Sequence, residues 1–315
     1  WINLDYFGFL HGFQMTDDAK WESLFGIPRR PRESALDQSY CNLAFAIQAF
    51  TEEAVMRLAK HARAVTNSPN LCMAGGVALN CVVNGKLELS GIFDNVFIQP
   101  AAGDAGCALG AALMGSHRYF EVERKLRKPD RIGGSYLGEI TEDGDCGRAL
   151  DELGAHYTSF DSFDALCETC AKHLADGGVV GWFQGRMEFG PRALGNRSIL
   201  GDPRNAEMQL RMNLKIKYRE SFRPFAPSVS SEDAQDYFKI KGQSPYMLIV
   251  GKVNDEIQFE VPADYFEKPI KERLYFKRST LPAITHLDYS ARVQTVEDDT
   301  NPRFSNLLRK FKKQT

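Results

Sequence analysis

The alternation of strand-forming and helix-forming segments between residues 68 and 120 constrains the fold of this chain more than any other feature. Asn70-Leu-Cys-Met-Ala74 is a short apolar run that ends at two glycines, and a helical pattern follows over residues 77–89. Residues 96–99 predict a second strand, and residues 105–119 predict a second helix. Strands that alternate with helices in this way are typical of an α/β layer, so we expect a mixed α/β fold.

The segments on either side of this layer have simpler patterns. Residues 1–38 are rich in aromatics, Gly and Pro without a clear period, and we expect irregular structure there. Apolar residues then recur at helical spacing from Ser39 to Val65, which predicts a long helix with one buried face. Glu121–Gly138 combines clustered charge with Pro129 and a glycine pair. We therefore predict a domain boundary in this segment, between residues 1–125 and residues 126–315.

A second α/β or α+β domain is predicted after this boundary. Its expected elements are a helix over Phe163–Ala175, a strand over Val179–Phe183, a loop rich in Gly and Arg, a helix over Asn205–Leu214, and strands near Phe225–Val229 and Tyr246–Val250.

Composition excludes several classes of function. The chain has 315 residues, a net charge of -2 and a pI near 6.4, so it has no overall field that would draw it to nucleic acid or to an anionic membrane. We expect no nucleic-acid or membrane partner, and any anion site must be local. Its seven cysteines are odd in number and scattered, which favours reduced thiols and a cytoplasmic protein. Cys167-Glu-Thr-Cys170 lies inside a helical pattern, which favours ordinary thiols over a metal or redox site.

The glycine turn Ala74-Gly-Gly-Val-Ala-Leu-Asn80 directly follows the first predicted strand. Paired glycines allow a ligand to approach the backbone closely, and Asn80 offers both a donor and an acceptor to a ribose or phosphate. The same turn also suits simple tight packing, so the sequence leaves nucleotide binding and packing open.

A run of small residues, Pro100-Ala-Ala-Gly-Asp-Ala-Gly106, follows the second strand and carries one carboxylate, Asp104. Asp104 would cap the next helix or, beside a nucleotide loop, ligate a divalent metal; the sequence favours neither. Both loops end strands of one layer, so they are predicted to face the same crevice.

The segment Gly185–Pro227 is basic in a slightly acidic protein. From Arg186 to Arg223 it has nine basic residues against four acidic ones, a local balance of +5. Gly, Pro and Phe lie among its arginines, and these residues fix the backbone rather than solubilise it. Arginine binds phosphate bidentately, and Lys217 adds a point charge for a leaving phosphate. The pattern favours a small phosphorylated ligand over RNA, because no exposed aromatic platform accompanies it.

The stretch from Ile284 to Val296 predicts a loop that runs into a strand. His286 is a candidate proton shuttle or a structural histidine, and Arg292 is the better ligand candidate.

Five ordered motifs resemble those of the carbamoyltransferases that include nodulation protein U, hydroxymethylcephem carbamoyltransferase and tobramycin carbamoyltransferase. They are listed in chain order as Ala74–Asn80, Pro100–Gly106, Gly190–Ile199, Lys217–Pro227 and His286–Val296. The resemblance covers nearly the whole chain. It implies the C-terminal part of an ASKHA-type (actin and sugar-kinase-like) domain followed by a YrdC-like α/β domain.

The resemblance also implies an ATP-dependent reaction. The YrdC-like domain would form carbamoyl adenylate from carbamoyl phosphate and ATP, and the ASKHA-type domain would transfer the carbamoyl group to the hydroxyl of an acceptor such as a sugar or an antibiotic. Residues implied in the first site are Arg192, Arg197, Ser198, Lys217, Arg219, Arg223, His286 and Arg292. Residues implied in the second site are Gly75, Gly76, Asn80 and Gly103 for the nucleotide and Asp104 for a divalent metal, either iron or magnesium/manganese.

The chain opens on Trp1, which suggests an excised piece, and two departures from the family pattern agree with this. The sequence has no HxxxH histidine pair of the kind that family members use to bind the metal, and it stops before the Asn-Thr-Ser-Phe-Asn strand expected after residue 315. We therefore expect the metal site to be shared with a missing N-terminal half, and this chain alone not to complete the transfer. Threonylcarbamoyl transfer to tRNA and a non-catalytic nucleotide-binding module remain alternatives.

Overall fold

The computed structural model describes residues 3–126 and 132–315, which form helices and short strands. The α-helices are α1 (Asp18–Phe25), α2 (Gln38–Thr66), α3 (Cys81–Leu89), α4 (Asp104–Met114), α5 (Asp143–Glu152), α6 (Phe163–Ala175), α7 (Met208–Lys215), α8 (Ala234–Tyr237), α9 (Ile270–Tyr275) and α10 (Pro302–Gln314). The strands are β1 (Asn70–Met73), β2 (Asn95–Ile98), β3 (Val179–Phe183), β4 (Arg197–Gly201), β5 (Ser228–Ser230), β6 (Phe238–Lys239), β7 (Val250–Val253), β8 (Ser290–Arg292) and β9 (Gln294–Val296). The mixed α/β prediction is confirmed, whereas the ASKHA-type and YrdC-like assignments stay predictions.

Two compact units divide the chain, Trp1–Ile47 and Gln48–Thr315. In the first unit Trp21 packs against the rings of Tyr6, Phe7 and Phe25, with ring centroids 5.3–5.8 Å apart. The prediction of irregular structure over residues 1–38 is wrong at α1. Asp17 caps the start of that helix and Gly26, with φ of 70°, ends it, so local capping stabilises a helix that lacks an apolar period.

The second unit begins with most of α2 and then the predicted layer of alternating strands and helices. β1 and β2 pair in parallel, with Asn70 opposite Asn95 and Met73 opposite Ile98. The helix expected from residue 77 starts only at Cys81, because the Asn80 side chain accepts a hydrogen bond from the Val83 N–H and caps it. A single 3₁₀ turn, Gly76–Leu79, fills the space between.

The C-terminal part matches the sequence predictions unevenly. The helix over Phe163–Ala175 and the strand over Val179–Phe183 are confirmed, but Arg197–Gly201 is a strand rather than part of a loop. It pairs antiparallel with β3, so that Arg197 lies opposite Phe183 and Ser198 opposite Trp182. The strand predicted near Tyr246–Val250 lies at Val250–Val253 instead. The residues before it are buried in the core, which gave them a strand-like apolar pattern.

One hydrophobic core joins residues from both sides of the predicted domain boundary. Ile98 at the end of β2, with Ala78 and Ala102 from the loops after β1 and β2, packs against Leu194, Tyr246, Met247 and Leu248. The buried Asn84 side chain reinforces this contact, since its Nδ2 donates to the carbonyls of Ala78 (2.8 Å) and Leu248 (2.9 Å). The boundary itself was predicted over a segment whose residues 127–131 lie outside the described part of the chain, and the domain assignment stays a prediction.

Among the described residues, no helix combines the length and the apolar composition needed to cross a bilayer.

Candidate functional site

The two glycine-containing loops lie side by side at the carboxyl ends of β1 and β2. The Gly75 N–H donates a hydrogen bond of 2.8 Å to the Ala102 carbonyl, so the loops are joined directly. Gly75 has φ of 96°, a conformation that favours glycine, and Gly76 begins the 3₁₀ turn. Gly103 is the N-cap residue of α4 and has Leu79 as its side-chain neighbour. These loops therefore present backbone groups on one edge of the layer.

Asn80 and Asp104, the two polar side chains predicted here, differ in how they are used. The Asn80 amide is fully engaged: its Nδ2 donates to Gln48 Oε1 (2.9 Å), and its oxygen caps α3. Asp104 is the exposed first residue of α4. Within residues 3–126 and 132–315, no group of three or more His, Cys, Asp or Glu side chains is placed to hold a metal ion. The residues present do not by themselves form a metal site, and the metal stays a prediction through which no step is derived.

The basic segment contains a loop, residues 188–197, that we call the arginine loop. Its base is closed by Glu188, whose Oε1 accepts the backbone N–H groups of Leu194 (2.7 Å), Asn196 (2.9 Å) and Arg197 (3.2 Å). Gly195 at φ of 106° makes this turn possible. The loop is thus held by a charged acceptor in addition to its backbone bonds.

A buried amide network holds the same loop from the other side. Gln184 Nε2 donates to Asn196 Oδ1 (2.9 Å) and Asn301 Oδ1 (2.7 Å), while Asn301 Nδ2 donates to the Tyr136 hydroxyl (2.8 Å). Tyr136 in turn donates to the Leu194 carbonyl (2.8 Å), and burial, the largest effect, raises the pKa of Tyr136 to about 12. The phenol therefore remains a neutral donor at physiological pH.

Arg197 and Ser198, both predicted to hold the ligand, contact the protein itself. The Arg197 guanidinium donates to the carbonyls of Gln184 (2.6 Å), Asn196 (2.8 Å) and Gly185 (3.0 Å), and it lies 3.5 Å from the centre of the Phe183 ring. Ser198 Oγ accepts the Gly195 N–H at 2.9 Å. Both side chains thus have structural partners in the described chain.

Arg192 connects the arginine loop to the glycine loops. Its Nη2 donates to the Leu79 carbonyl at 3.2 Å, and its Nε is buried with no hydrogen-bond partner among the described residues. The backbones also meet, because a Cβ added at Gly190 would lie 3.1 Å from the Pro100 carbonyl oxygen. The two sets of residues that the sequence assigned to separate sites are therefore neighbours in this chain.

Four further cations belong to the same electropositive region as Arg192. Burial and then the neighbouring Arg192 lower the pKa of Arg292, and Arg219 lowers it further. Burial and then Arg223 lower the pKa of Arg219, and burial and then Arg219 lower the pKa of Lys217. We call Lys217, Arg192, Arg219, Arg223 and Arg292 the cationic cluster. No carboxylate in the described ranges forms an ion pair with any of the five; the ion pair formed within the basic segment joins Arg204 to Asp202.

The end of α7 orients two members of this cluster. The buried Asn213 donates through Nδ2 to the carbonyls of Ser221 (3.1 Å) and Arg223 (2.8 Å), and its Oδ1 accepts from Arg219 Nε at 2.6 Å. Arg219 also lies 4.8 Å from the centre of the Phe225 ring. The side chains of Lys217 and Arg223 extend from this anchored turn; both residues are solvent-accessible, and the burial that lowers the pKa of Lys217 is partial.

Sequence reasoning missed Cys81, the first residue of α3, which directly follows the Ala74–Asn80 loop. Burial raises the pKa of this thiol, while the nearby Arg292 and Arg192 act in the opposite direction. Its position directly after Asn80 in the glycine motif was the available signal, but a cysteine in a small-residue run predicts packing equally well.

His286 lies close to Arg292 with one ring nitrogen engaged. Nδ1 is 2.9 Å from Ser290 Oγ, which donates to Asp288 Oδ1 at 2.7 Å, so Nδ1 carries the proton. Nε2 is buried with no partner in the part of the chain that the structure describes. Burial lowers the pKa of His286, which keeps the ring neutral near pH 7.

Comparisons with known proteins agree with this arrangement of motifs. Residues 1–113 match the family model described as Carbamoyltransferase N-terminus, and residues 171–315 match that described as Carbamoyltransferase C-terminus. The matches do not support the prediction that the chain is a mere fragment of such an enzyme, and that prediction stays open.

Individual relatives show the same pattern. An uncharacterised protein of Synechocystis is 52% identical, covering 98% of this chain and 50% of its own length. The nodulation protein NolO of Bradyrhizobium diazoefficiens is 41% identical, and the 3'-hydroxymethylcephem-O-carbamoyltransferase of Amycolatopsis lactamdurans is 33% identical; each match covers 93% of this chain and 50% of the relative. The chain thus spans about half the length of these curated relatives. Together the two family models cover most of its sequence, and the chain belongs to the carbamoyltransferase family.

Proposed function

We propose that the protein containing this chain is an ATP-dependent O-carbamoyltransferase whose cationic cluster binds carbamoyl phosphate and the carbamoyl adenylate made from it. The observation that carries this proposal is the cluster itself. Burial and neighbouring arginines lower the pKa of Lys217, Arg219 and Arg292, and none of the five cations has a carboxylate ion-pair partner among the described residues. Like charges held together in this way cost free energy, which a bound polyanion would offset.

The proposed chemistry suits these side chains. A carbamoyl carbon is a poor electrophile until its leaving group is a phosphate anhydride. Water releases inorganic phosphate from carbamoyl phosphate, and an oxygen of the resulting carbamate then attacks the α-phosphorus of ATP as pyrophosphate leaves. Lys217, Arg223 and Arg292 would stabilise the negative charge that develops on the phosphates, because fixed cations need no reorganisation in the transition state.

The second step would take place at the glycine loops. There an acceptor hydroxyl attacks the carbamoyl carbon, its proton passes to a base, and AMP leaves. Gly76 and Gly103 would present backbone N–H groups to the nucleotide, while Gly75, whose own N–H is bonded to Ala102, would shape the turn. The contact between Arg192 and Leu79 supports a short path from the first site to these loops.

The acceptor is proposed to be a small molecule that bears a hydroxyl group. The support is the name of two relatives, the 3'-hydroxymethylcephem-O-carbamoyltransferases of Amycolatopsis lactamdurans and Streptomyces clavuligerus, which are 33% and 30% identical to this chain. Because the match covers 50% of each relative, the acceptor belongs to the proposal for the whole protein.

Isotope exchange between pyrophosphate and ATP tests the first step. In the full-length protein we expect exchange that depends on carbamoyl phosphate, and a loss of about 100-fold or more in Lys217→Ala, because one charge-stabilising cation is removed. Lys215→Ala, an exposed lysine at the end of α7, is the matched control and should exchange normally.

Three outcomes would contradict the proposal. Nucleotide binding without any exchange would indicate a non-catalytic binding module, and AMP release stimulated by tRNA would indicate threonylcarbamoyl transfer. Equal exchange in Lys217→Ala and the wild type would remove the cationic cluster from the reaction. We also expect the 315-residue chain alone not to carbamoylate an acceptor, and turnover by it would contradict that expectation.

A further inference from the structure

Glu188 is a carboxylate inside the basic segment, yet Glu188 itself forms no ion pair with any described residue. One of its oxygens, Oε1, instead receives three backbone N–H groups, from Leu194, Asn196 and Arg197, at 2.7, 2.9 and 3.2 Å. Backbone N–H groups of one turn that converge on a single point form an anion-binding concavity. In the arginine loop the protein's own carboxylate fills this concavity, so it is not available to a ligand.

The hydrogen bonds to Glu188 close the arginine loop. The three bonds join residue 188 to residues 194–197 and close the base of a loop whose outer part is Gly190-Pro-Arg192. Charged acceptors make stronger hydrogen bonds than neutral ones, so the closure is firm. Tyr136 and the Asn196 amide fix the same end of the loop from the core.

Arg192 lies on the outer part of this loop and depends on it for its position. Its own protein contact is one bond of 3.2 Å to the Leu79 carbonyl, and its buried Nε has no partner in the described chain. Nearby Arg292 repels it. A side chain held this lightly, next to a like charge, would move away if the loop opened.

We propose that Glu188 is a positioning residue for the anion site: by closing the arginine loop it holds Arg192 beside Arg292, without touching the ligand. The inference rests on the proposed function. It explains why a carboxylate is retained here, since its charge is directed at backbone N–H groups and leaves the arginines available to phosphate.

A double-mutant cycle separates this role from a general structural one. The affinity of the full-length protein for carbamoyl phosphate, with inorganic phosphate as a second probe, is measured by calorimetry for wild type, Glu188→Ala, Arg192→Ala and the double variant. We expect each single variant to bind about 10-fold more weakly, and the double variant to bind no more weakly than Arg192→Ala. Losses that multiply would mean that Glu188 does not act through Arg192, and would overturn the proposal.

Two further variants keep the test decisive. Glu188→Gln retains the acceptor oxygen, so it should bind within about 3-fold of wild type even if Glu188→Ala unfolds. A Gln variant that folds like wild type but binds as weakly as Arg192→Ala would also overturn the proposal. Glu139→Ala, an exposed carboxylate whose backbone bonds to Met187, is the matched control and should bind normally.

Failure of the proposed function would look different. In one such result, the four proteins show the expected pattern of affinities for inorganic phosphate while the wild type does not bind carbamoyl phosphate. That result would show that the proposed substrate is wrong and would leave the role of Glu188 intact. A wild type that binds neither anion would overturn both.

Discussion

The glycine loops and the basic segment lie next to each other and use their polar groups in opposite ways. In the glycine loops the polar groups find protein partners: the Gly75 N–H bonds to Ala102, and the Asn80 amide is shared between Gln48 and the start of α3. In the basic segment Lys217 and Arg223 extend from an anchored turn, and neither forms an ion pair with a carboxylate in the described part of the chain. A polar group that is hydrogen-bonded within the protein stabilises the fold, which is a sufficient reason for its presence. A set of cations without ion-pair partners among the described residues instead indicates a bound anion.

The same contrast divides the basic segment internally. The Arg197 guanidinium donates to three backbone carbonyls and lies over an aromatic ring. Arg192, five residues earlier, makes one long hydrogen bond, to the Leu79 carbonyl. Motif membership alone does not distinguish the two arginines. Their hydrogen-bond partners do.

Among the variants that test this comparison, Arg292→Ala should have the largest effect, on the affinity for carbamoyl phosphate. Because Arg292 belongs to the cationic cluster, its removal should weaken carbamoyl phosphate binding by about 100-fold while the thermal midpoint stays level or rises, since a buried like charge is relieved. Calorimetry and thermal unfolding measure the two quantities on one sample.

Arg303→Ala is the control for that variant. Arg303 donates through Nη1 and Nη2 to the exposed carboxylate of Asp143, at 2.9 and 2.7 Å, so its loss should cost little stability and no affinity. If Arg292→Ala instead unfolds and Arg303→Ala weakens binding, the distinction between structural and ligand-facing arginines fails.

Asn80→Ala should have an intermediate effect, and on stability. Loss of the N-cap should lower the free energy of unfolding by about 1 kcal/mol, measured by urea denaturation. Asn80→Asp keeps the capping oxygen and should retain most of it, and Asn95→Ala, at an exposed strand residue, serves as control.

The ATP affinity of Asn80→Asp sharpens the comparison. We expect it to match wild type if the amide is purely structural. A 10-fold or greater loss in a stable variant would show that Asn80 contacts the nucleotide as well, and would place the glycine loops with the ligand-facing groups.

The smallest effect is the pH dependence contributed by Lys217. Burial and Arg219 lower the pKa of its ammonium, so it loses its proton at a lower pH than an ordinary lysine. Phosphate favours the protonated form. The affinity for carbamoyl phosphate should therefore fall as the pH rises through the pKa of Lys217. This decrease should occur at a lower pH than the pKa of an ordinary lysine, about 10.4.

Lys217→Arg removes that dependence, because arginine stays protonated throughout the window. Binding curves collected from neutral to alkaline pH should be sloped in wild type and level in the arginine variant. Equal slopes would assign the effect to the ligand or to another group.

Sequence patterns predicted the regular elements best where periodicity was local. The long helix appears at Gln38–Thr66, and α6 and β3 have the predicted bounds. α6 buries Cys167, Ala171 and Leu174 at helical spacing. The prediction of a buried face on α2 is wrong at Ile47, Phe50 and Leu58, which are exposed. β4 was missed because its glycine- and arginine-rich sequence forms a strand only through pairing with β3. α1, α5, α8, α9 and α10 were not predicted. α1 depends on its caps at Asp17 and Gly26 more than on an apolar stripe, whereas α10 is capped by Asn301 and also packs Phe304, Leu307, Leu308 and Phe311 into one core cluster with residues of α6.

By itself the sequence determined the mixed α/β class, the basic segment and the five motifs that identify the family, since composition, charge and ordered residue types are properties of the chain alone. Only the tertiary structure decided which motif residues are available to a ligand. It turned Arg197 and Asn80 toward protein acceptors and donors, brought Arg192 to Leu79 and Arg292, and gave Glu188 three N–H groups to hold. The physical reason is that hydrogen bonds and charge–charge contacts depend on distances in space between residues that are here 6 to 113 positions apart, which no local pattern encodes.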